Sequence, residues 1–202
     1  METDVQNLLI AAIAGYVLGS MPFGLVLCRL AGLGDIRKIG SGNIGATNVL
    51  RTGNKFLAAL TLILDSGKGA IAVLIAVFIF GANAGLIAGC AAVIGHNFPL
   101  WLKFKGGKGV ATTLGTLLAI SWPIGVASLI IWLLMAALFR MSSLAALVSL
   151  AAAPVVAWVM DEPMIAVAAL ALAVLSIIRH RENIKRIVKG TEPRIGAKKT
   201  DR

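Results

Sequence analysis

Charge is scarce in this sequence. Only 14% of its 202 residues are charged, and nine are acidic, where a soluble domain carries about 25% charged residues. With 58% hydrophobic residues and a mean hydropathy of +0.91, the apolar surface exceeds what a soluble globule of this length can bury. An ordinary cytosolic domain is excluded, and so is a disordered chain. Cysteine is nearly absent: Cys28 and Cys90 lie far apart in apolar stretches. They form no Cys-x-x-Cys pair, which excludes a disulfide framework or a zinc site and leaves two buried, reduced thiols. Metal-ligand spacing is missing throughout, so neither a metal nor a cofactor is expected. The amino terminus, Met1-Glu-Thr-Asp4, lacks the basic residues of a signal peptide, so the first apolar stretch is expected to stay as a span. No internal repeat, long linker or low-complexity block divides residues 1–202, which read as a single transmembrane domain.

A spanning helix needs about 20 largely apolar residues. Asn7–Leu30 and Lys55–Phe80 are long enough outright, and Ala84–Pro99 is shorter. The long run Val110–Phe139 is interrupted by Ser121-Trp122-Pro123, where proline favours a turn, so it divides into a short helix and a full one. Ser142–Met160 and Pro163–Ile178, joined by Asp161-Glu162, complete seven crossings, or six if the break at Trp122 is only a kink. The predicted fold is an all-α integral membrane protein.

Lysine and arginine placement predicts the orientation. The net charge of +10 would suggest nucleic acid in a soluble protein. Here Arg29, Arg37, Lys38, Arg51 and Lys55 fall in one loop, Lys103, Lys105 and Lys108 in a second, Arg140 in a third, and nine more from Arg179 onward. The opposite turns, near Gly81–Asn83, Ser121–Trp122 and Asp161–Glu162, contain none. Eighteen of nineteen basic residues thus share one side, and only Lys68 lies within a span. Seven crossings place the amino terminus, with Glu2 and Asp4, outside and the carboxyl terminus in the cytoplasm. The partner implied is the lipid bilayer, with no nucleic acid.

Three polar clusters sit on that basic side. Gly34–Asn54 reads GDIRKIGSGNIGATNVLRTGN. Its glycines let backbone N–H groups converge on an anion. Ser41, Asn43, Thr47 and Asn48 add neutral polar groups, and Arg51 a bidentate fork for phosphate. A flexible tight turn is the plain alternative. Gly40-Ser-Gly-Asn-Ile-Gly45 matches a dinucleotide-binding fingerprint, but it lies between transmembrane helices without the βαβ unit that reading requires. Neither Gly67-Lys68 nor Gly107-Lys108 is followed by the Ser or Thr of a phosphate-binding P-loop.

The second cluster, His96–Thr112, contains Lys105-Gly106-Gly107-Lys108-Gly109 running into a helix that begins near Val110. Donors at a helix start suit a phosphate. Positive-inside charge explains the lysines but not the interleaved glycines. The third cluster is Arg179-His-Arg-Glu-Asn-Ile-Lys-Arg186, where helical spacing would point His180 and Asn183 at one site and pair Glu182 with Arg186. His96 alone reads more readily as a helix-end hydrogen-bonding residue than as a catalyst. Within the second span, Asp65 and Lys68 are spaced i,i+3, which fits either a functional pair or simple mutual neutralisation.

Taken with their order along the chain, Ser41–Arg51 (SGNIGATNVLR), Gly95–Thr112 (GHN…FKGGKGVAT) and His180–Asn183 (HREN) resemble the three motifs of the bacterial acyl-phosphate:glycerol-3-phosphate acyltransferase family, PlsY. The resemblance covers essentially the whole chain. It implies transfer of a fatty acyl group from acyl phosphate to the 1-hydroxyl of sn-glycerol 3-phosphate, giving lysophosphatidic acid and phosphate at the start of phospholipid synthesis. It also implies a multi-pass protein of the bacterial cytoplasmic (inner) membrane and a partner enzyme that supplies acyl phosphate. Carried onto this sequence, it implicates Ser41 and Arg51 in substrate binding and activity, and Lys105–Gly109 in binding glycerol 3-phosphate. His180 and Asn183 are implicated in activity, and Glu182 in structural integrity.

The expected catalytic set is therefore Ser41, Arg51, His96, His180 and Asn183. The expected phosphate-binding set is Gly42, Asn43, Gly45, Thr47, Asn48, Lys68, Lys105, Gly106, Gly107, Lys108 and Gly109. Direct transfer is the mechanism these residues suggest, with His180, His96 or a phosphate oxygen of the donor as base. The last is favoured because no carboxylate in the sequence evidently orients either histidine. A His-x4-Asp acyltransferase signature is missing, since Trp101 and Lys185 stand five residues after His96 and His180. A GxSxG elbow is missing too. A transporter for a phosphorylated solute is the competing class, but the polar residues crowd one face and there is no repeat. A non-enzymatic scaffold leaves the glycines unexplained.

Overall fold

In a computed structural model, residues 4–196 are described; Glu2 at one end and Lys198, Lys199 and Arg202 at the other lie outside them. The described residues form ten α-helices and no strand. The chain divides into two compact units, residues 1–125 and 126–202.

In the first unit, α1 (Val5–Gly19) and α2 (Phe23–Leu30) make one broken apolar span of 26 residues, interrupted at Ser20-Met21-Pro22. Asp4 caps α1, accepting from Gln6 N at 3.4 Å. A short helix α3 (Ala46–Leu50) follows, then α4 (Lys55–Phe80), capped by Asn54, whose Oδ1 accepts from Leu57 N at 3.0 Å. Gly81, at φ +92°, reverses the chain into α5 (Ala82–Asn97), and α6 (Val110–Ile120) comes after the second polar loop. The break expected at Ser121–Pro123 is present, since α7 (Trp122–Phe139) starts there.

Small residues let these helices touch. On α1, Ala11, Gly15 and Gly19 recur every fourth residue and are buried with Ala84, Ala88 and Ala92 of α5. A β-carbon on Gly15 or Gly19 would overlap the backbone of Ala88 or Ala92. Gly69 and Gly115 do the same between α4 and α6, each meeting the other helix's backbone. Hydrophobicity gives no drive for helix association in lipid, so close backbone approach through small residues takes that role.

The second unit consists of the rest of α7, α8 (Ser142–Val159), α9 (Pro163–Arg179) and α10 (Arg181–Val188). Ser149 Oγ donates to Ser128 O at 2.7 Å, tying α8 to α7. Alanines line the buried faces of α8 and α9, and α10 bends 65° away from α9.

Five of these helical spans are long and apolar enough to cross a bilayer, six if α9 and α10 count as one. Helix α6, with 11 residues, reaches only about 16 Å, roughly half the hydrocarbon thickness. The seven apolar segments expected from the sequence are all present as helices, but length alone gives five or six crossings.

Candidate active site

Asn48 organises the first glycine-rich loop. It is buried, and its Nδ2 reaches the carbonyls of Ile36 (2.8 Å), Ile39 (3.2 Å) and Asn43 (2.7 Å). Its Oδ1 accepts from Ser41 N at 3.0 Å and Ser41 Oγ at 3.3 Å. Asn43 Oδ1 accepts from Gly45 N at 3.2 Å. Gly40 and Gly42 are left-handed, at φ +56° and +69°, conformations that side chains disfavour. A β-carbon on Gly40 would lie 2.8 Å from Arg51 Nη1, so Arg51 folds across the backbone beside Ser41.

The cations of this loop are not equivalent. Asp35 accepts from Arg37 Nε at 2.9 Å and lies 3.2 Å from Arg29 Nη2. Arg37, foremost, with Arg29, holds the Asp35 carboxyl well below the usual carboxylate range. Arg29 and Arg37 are thereby both engaged by one carboxylate. Arg51 is exposed and has no ion pair among the described residues, and the same is true of Lys105 in the second loop.

That second loop is tied to the end of α5 by two backbone hydrogen bonds, Gly107 N to His96 O (3.0 Å) and Gly106 N to Asn97 O (3.2 Å). A β-carbon on Gly107 would overlap His96 Nε2, and one on Gly106 would overlap His96 O. Gly109, at φ +78°, leads into α6 and faces the Asn97 amide. Lys103 and Phe104 are both left-handed, at φ +52° and +61°, and turn the chain back toward the glycines. Leu102 packs on the cluster of Leu25, Ile36, Ile44 and Val49 that underlies the first loop. The two loops therefore share one scaffold within the first unit.

Beneath the second loop lies a buried charged group. Lys68, 2% exposed, is 3.0 Å from Asp65 Oδ1, 2.8 Å from His96 Nδ1, and donates to Met21 O at 2.9 Å. Its ammonium lies 5.8 Å from the centroid of the Phe23 ring. Asp65 Oδ1 and His96 Nδ1 are 3.7 Å apart, beyond hydrogen-bonding reach.

In the second unit, His180 sits at the bend between α9 and α10, and both it and Asn183 are buried. His180 Nδ1 lies 2.8 Å from Ser176 O. A carbonyl only accepts, so Nδ1 carries a proton, and in the neutral ring the lone pair is on Nε2. Glu192, on the segment after Gly190, accepts from Ser143 Oγ (2.7 Å), Asn183 Nδ2 (2.6 Å) and Arg186 Nε (2.7 Å).

The sequence matches the profile of the glycerol-3-phosphate acyltransferases over residues 9–190. It is 65% identical to a glycerol-3-phosphate acyltransferase of Rhodospirillum rubrum, covering 94% of this chain and 92% of that one. It is 62% identical to one of Paramagnetospirillum magneticum, covering 96% of each. This chain belongs to the glycerol-3-phosphate acyltransferase family. Its structure superposes on the crystal structure of PlsY (YgiH), an integral membrane glycerol 3-phosphate acyltransferase, in its glycerol 3-phosphate form, with a TM-score of 0.89 at 41% identity. The superposition covers 94% of this chain and 96% of that one. The lysophosphatidic acid form of PlsY gives 0.86 at 40% identity, covering 94% and 95%. The chain is an integral, multi-pass membrane protein.

Within this family member the expected residues divide between the units. Ser41, Arg51 and the glycines and asparagines of the first loop, His96, Lys68 and Lys105–Gly109 belong to the first unit; His180 and Asn183 belong to the second. Thr47 is exposed beside Asn48. Two expectations are corrected, and the first is Asn48, whose side chain is occupied by Ser41, Ile36, Ile39 and Asn43 of its own loop instead of being open to phosphate. Glu182 does not pair with Arg186: it is exposed, lying 3.2 Å from Lys185 and 3.7 Å from Arg181. The chain turns back at Gly190 (φ +68°) and brings Glu192 to Arg186 instead. The carboxylate with an integrating position is thus Glu192, ten residues further along. A carboxylate does stand near a histidine, Asp65 beside His96 with Lys68 next to both, but at 3.7 Å it does not orient the ring by a hydrogen bond of its own. Asn97 and Thr112 were passed over as well. Both are wholly buried with side chains lacking hydrogen-bond partners among the described residues, an arrangement costing about 1–3 kcal/mol per group.

Burial pushes the Glu192 carboxyl up, but the hydrogen bonds from Ser143, Asn183 and Arg186 outweigh it and leave the group below its ordinary value. A lowered native value means this attachment stabilises fully above the unfolded value of 4.5 and is lost as pH falls through the native one. Glu192→Gln is expected to destabilise the protein at neutral pH by about 1.5–3 kcal/mol. In thermal unfolding, the gap between wild type and variant should close as the pH is lowered.

Proposed function

We propose that this chain transfers a fatty acyl group from acyl phosphate directly to the 1-hydroxyl of sn-glycerol 3-phosphate, at the cytoplasmic face of a bacterial inner membrane. We further propose seven crossings with the amino terminus outside, and an enzyme upstream that supplies acyl phosphate. The observation that carries the reading is the pair of glycine-rich loops on one scaffold, each with a cation that has no ion pair among the described residues, Arg51 and Lys105. Both substrates named carry phosphate. Its family membership and the likeness to PlsY in its glycerol 3-phosphate form support the acceptor.

In this mechanism Arg51 and the loop lysines neutralise the phosphates, and the start of α6, just after the glycine turn, adds positive potential. Ser41, held by Asn48, positions substrate. The acceptor hydroxyl attacks the acyl carbon, the C–O bond to phosphate breaks, and the hydroxyl proton passes to a phosphate oxygen of the donor. Carboxylic–phosphoric anhydrides expel a stabilised phosphate, so little acid assistance is required. His180 and Asn183 support activity from the second unit. A charged pair within a span would suit a transporter, but Asp65 and Lys68 join His96 beneath the loop, which disfavours that reading.

Purified protein supplied with acyl phosphate and glycerol 3-phosphate tests this reading. Wild type should release phosphate and form lysophosphatidate, and Arg51→Ala should lower turnover about 10- to 100-fold, the worth of one charge-assisted hydrogen bond. A wild type as inert as Arg51→Ala would remove the acyltransferase reading.

A further inference from the structure

We infer that Lys68 is a positioning residue that locks His96 in the tautomer protonated on Nε2, making His96 a hydrogen-bond donor toward the Gly106–Gly107 turn and removing it as a base. The argument starts from the ammonium group. A lysine ammonium has three donors and no lone pair. Lys68 donates one to Met21 O at 2.9 Å and is ion-paired with Asp65 Oδ1 at 3.0 Å. Its third neighbour is His96 Nδ1, at 2.8 Å. A hydrogen on Nδ1 would face the ammonium hydrogens across that distance, so Nδ1 must be the accepting nitrogen. Asp65 offers no alternative, since 3.7 Å separates its Oδ1 from Nδ1. The imidazole proton therefore resides on Nε2.

Nε2 is the atom that a β-carbon on Gly107 would overlap, so the donor edge of His96 lies against the turn. The His96 and Asn97 carbonyls hold the same turn through the N–H groups of Gly107 and Gly106. Asp65 completes the arrangement by keeping Lys68 charged and in place between α4, α5 and the α1–α2 break. His180 has the opposite tautomer, because its Nδ1 faces the Ser176 carbonyl. The chain's two histidines thus differ in which ring nitrogen carries the proton, Nε2 in His96 and Nδ1 in His180. The role of His96 in holding a phosphate-binding turn rests on the acyltransferase reading; the tautomer does not.

The test is nitrogen-15 NMR of the full-length protein, labelled at histidine, in lipid nanodiscs at neutral pH. Two histidines give two imidazoles, assigned by the loss of one set in His180→Gln or, equivalently, in His96→Gln. The expected wild-type spectrum shows His96 with Nδ1 unprotonated and Nε2 protonated, and His180 with the reverse. His96 protonated on Nδ1, on both nitrogens, or averaging between tautomers would overturn the inference. Lys68→Arg, which keeps a cationic donor, should retain the His96 pattern, and a folded Lys68→Met should lose it; an unchanged pattern in Lys68→Met would remove Lys68 from the role. The wild-type spectrum decides the tautomer even if neither variant folds. Since no substrate is present, an inactive enzyme leaves this result untouched, and a contrary tautomer leaves the acyltransferase reading untouched.

Discussion

Gly107→Ala is expected to reduce acyl transfer about 100-fold or more while leaving the helices assembled. An alanine β-carbon at this position overlaps His96 Nε2, and His96 is buried between Lys68 and the loop. The ring cannot retreat without breaking its contact with Lys68, so the glycine turn must move instead. A displacement on the order of 1 Å of a substrate-positioning group is enough for a loss of about 100-fold. Gly67→Ala is the matched control. It lies within α4, where an added β-carbon meets nothing within 4 Å, and alanine there should stabilise the helix by up to about 1 kcal/mol. Turnover and KM for glycerol 3-phosphate, measured side by side for the two variants, check the prediction. Equal activity in both would mean the turn is not held against His96.

Asp65→Ala is expected to destabilise the protein by about 3–5 kcal/mol, because it leaves the Lys68 ammonium buried without its counter-charge. Asp65 and Lys68 are each 2% exposed, and the pair lies inside a span of hydropathy 2.1 where water gives little help. Removing both charges together, as in Asp65→Leu with Lys68→Met, should recover much of that loss, since apolar replacement of a whole buried pair is often neutral. Thermal unfolding in detergent of the two variants and wild type checks this. A double variant as unstable as the single would show that the Lys68 bonds to Met21 O and His96 Nδ1 contribute more than the ion pair.

Much of this was legible in the sequence because lipid imposes simple rules. A run such as Lys55–Phe80 has to be a helix, and it is one residue for residue. The break at Ser121–Pro123 was legible because proline and a polar pair interrupt the run. The glycine-rich loops could be recognised since neither lipid packing nor the positive-inside rule calls for their composition. Long-range pairing was not legible. Lys68 and Asp65 read as an i,i+3 pair, but nothing local says that His96, 28 residues later, completes the group. Helical spacing likewise pairs Glu182 with Arg186, and only the turn at Gly190, left-handed at φ +68°, delivers Glu192 to that position. Asn48 read as a ligand for phosphate by its residue type; its side chain is occupied in holding the loop together.

The most direct measurement of the central claim is phosphate release from acyl phosphate by purified enzyme in the absence and presence of glycerol 3-phosphate. Direct transfer predicts no release without the acceptor and, with it, one phosphate for each lysophosphatidate formed. A burst of phosphate before the acceptor is added, one per enzyme molecule and absent in Ser41→Ala, would show an acyl-enzyme intermediate and contradict the account.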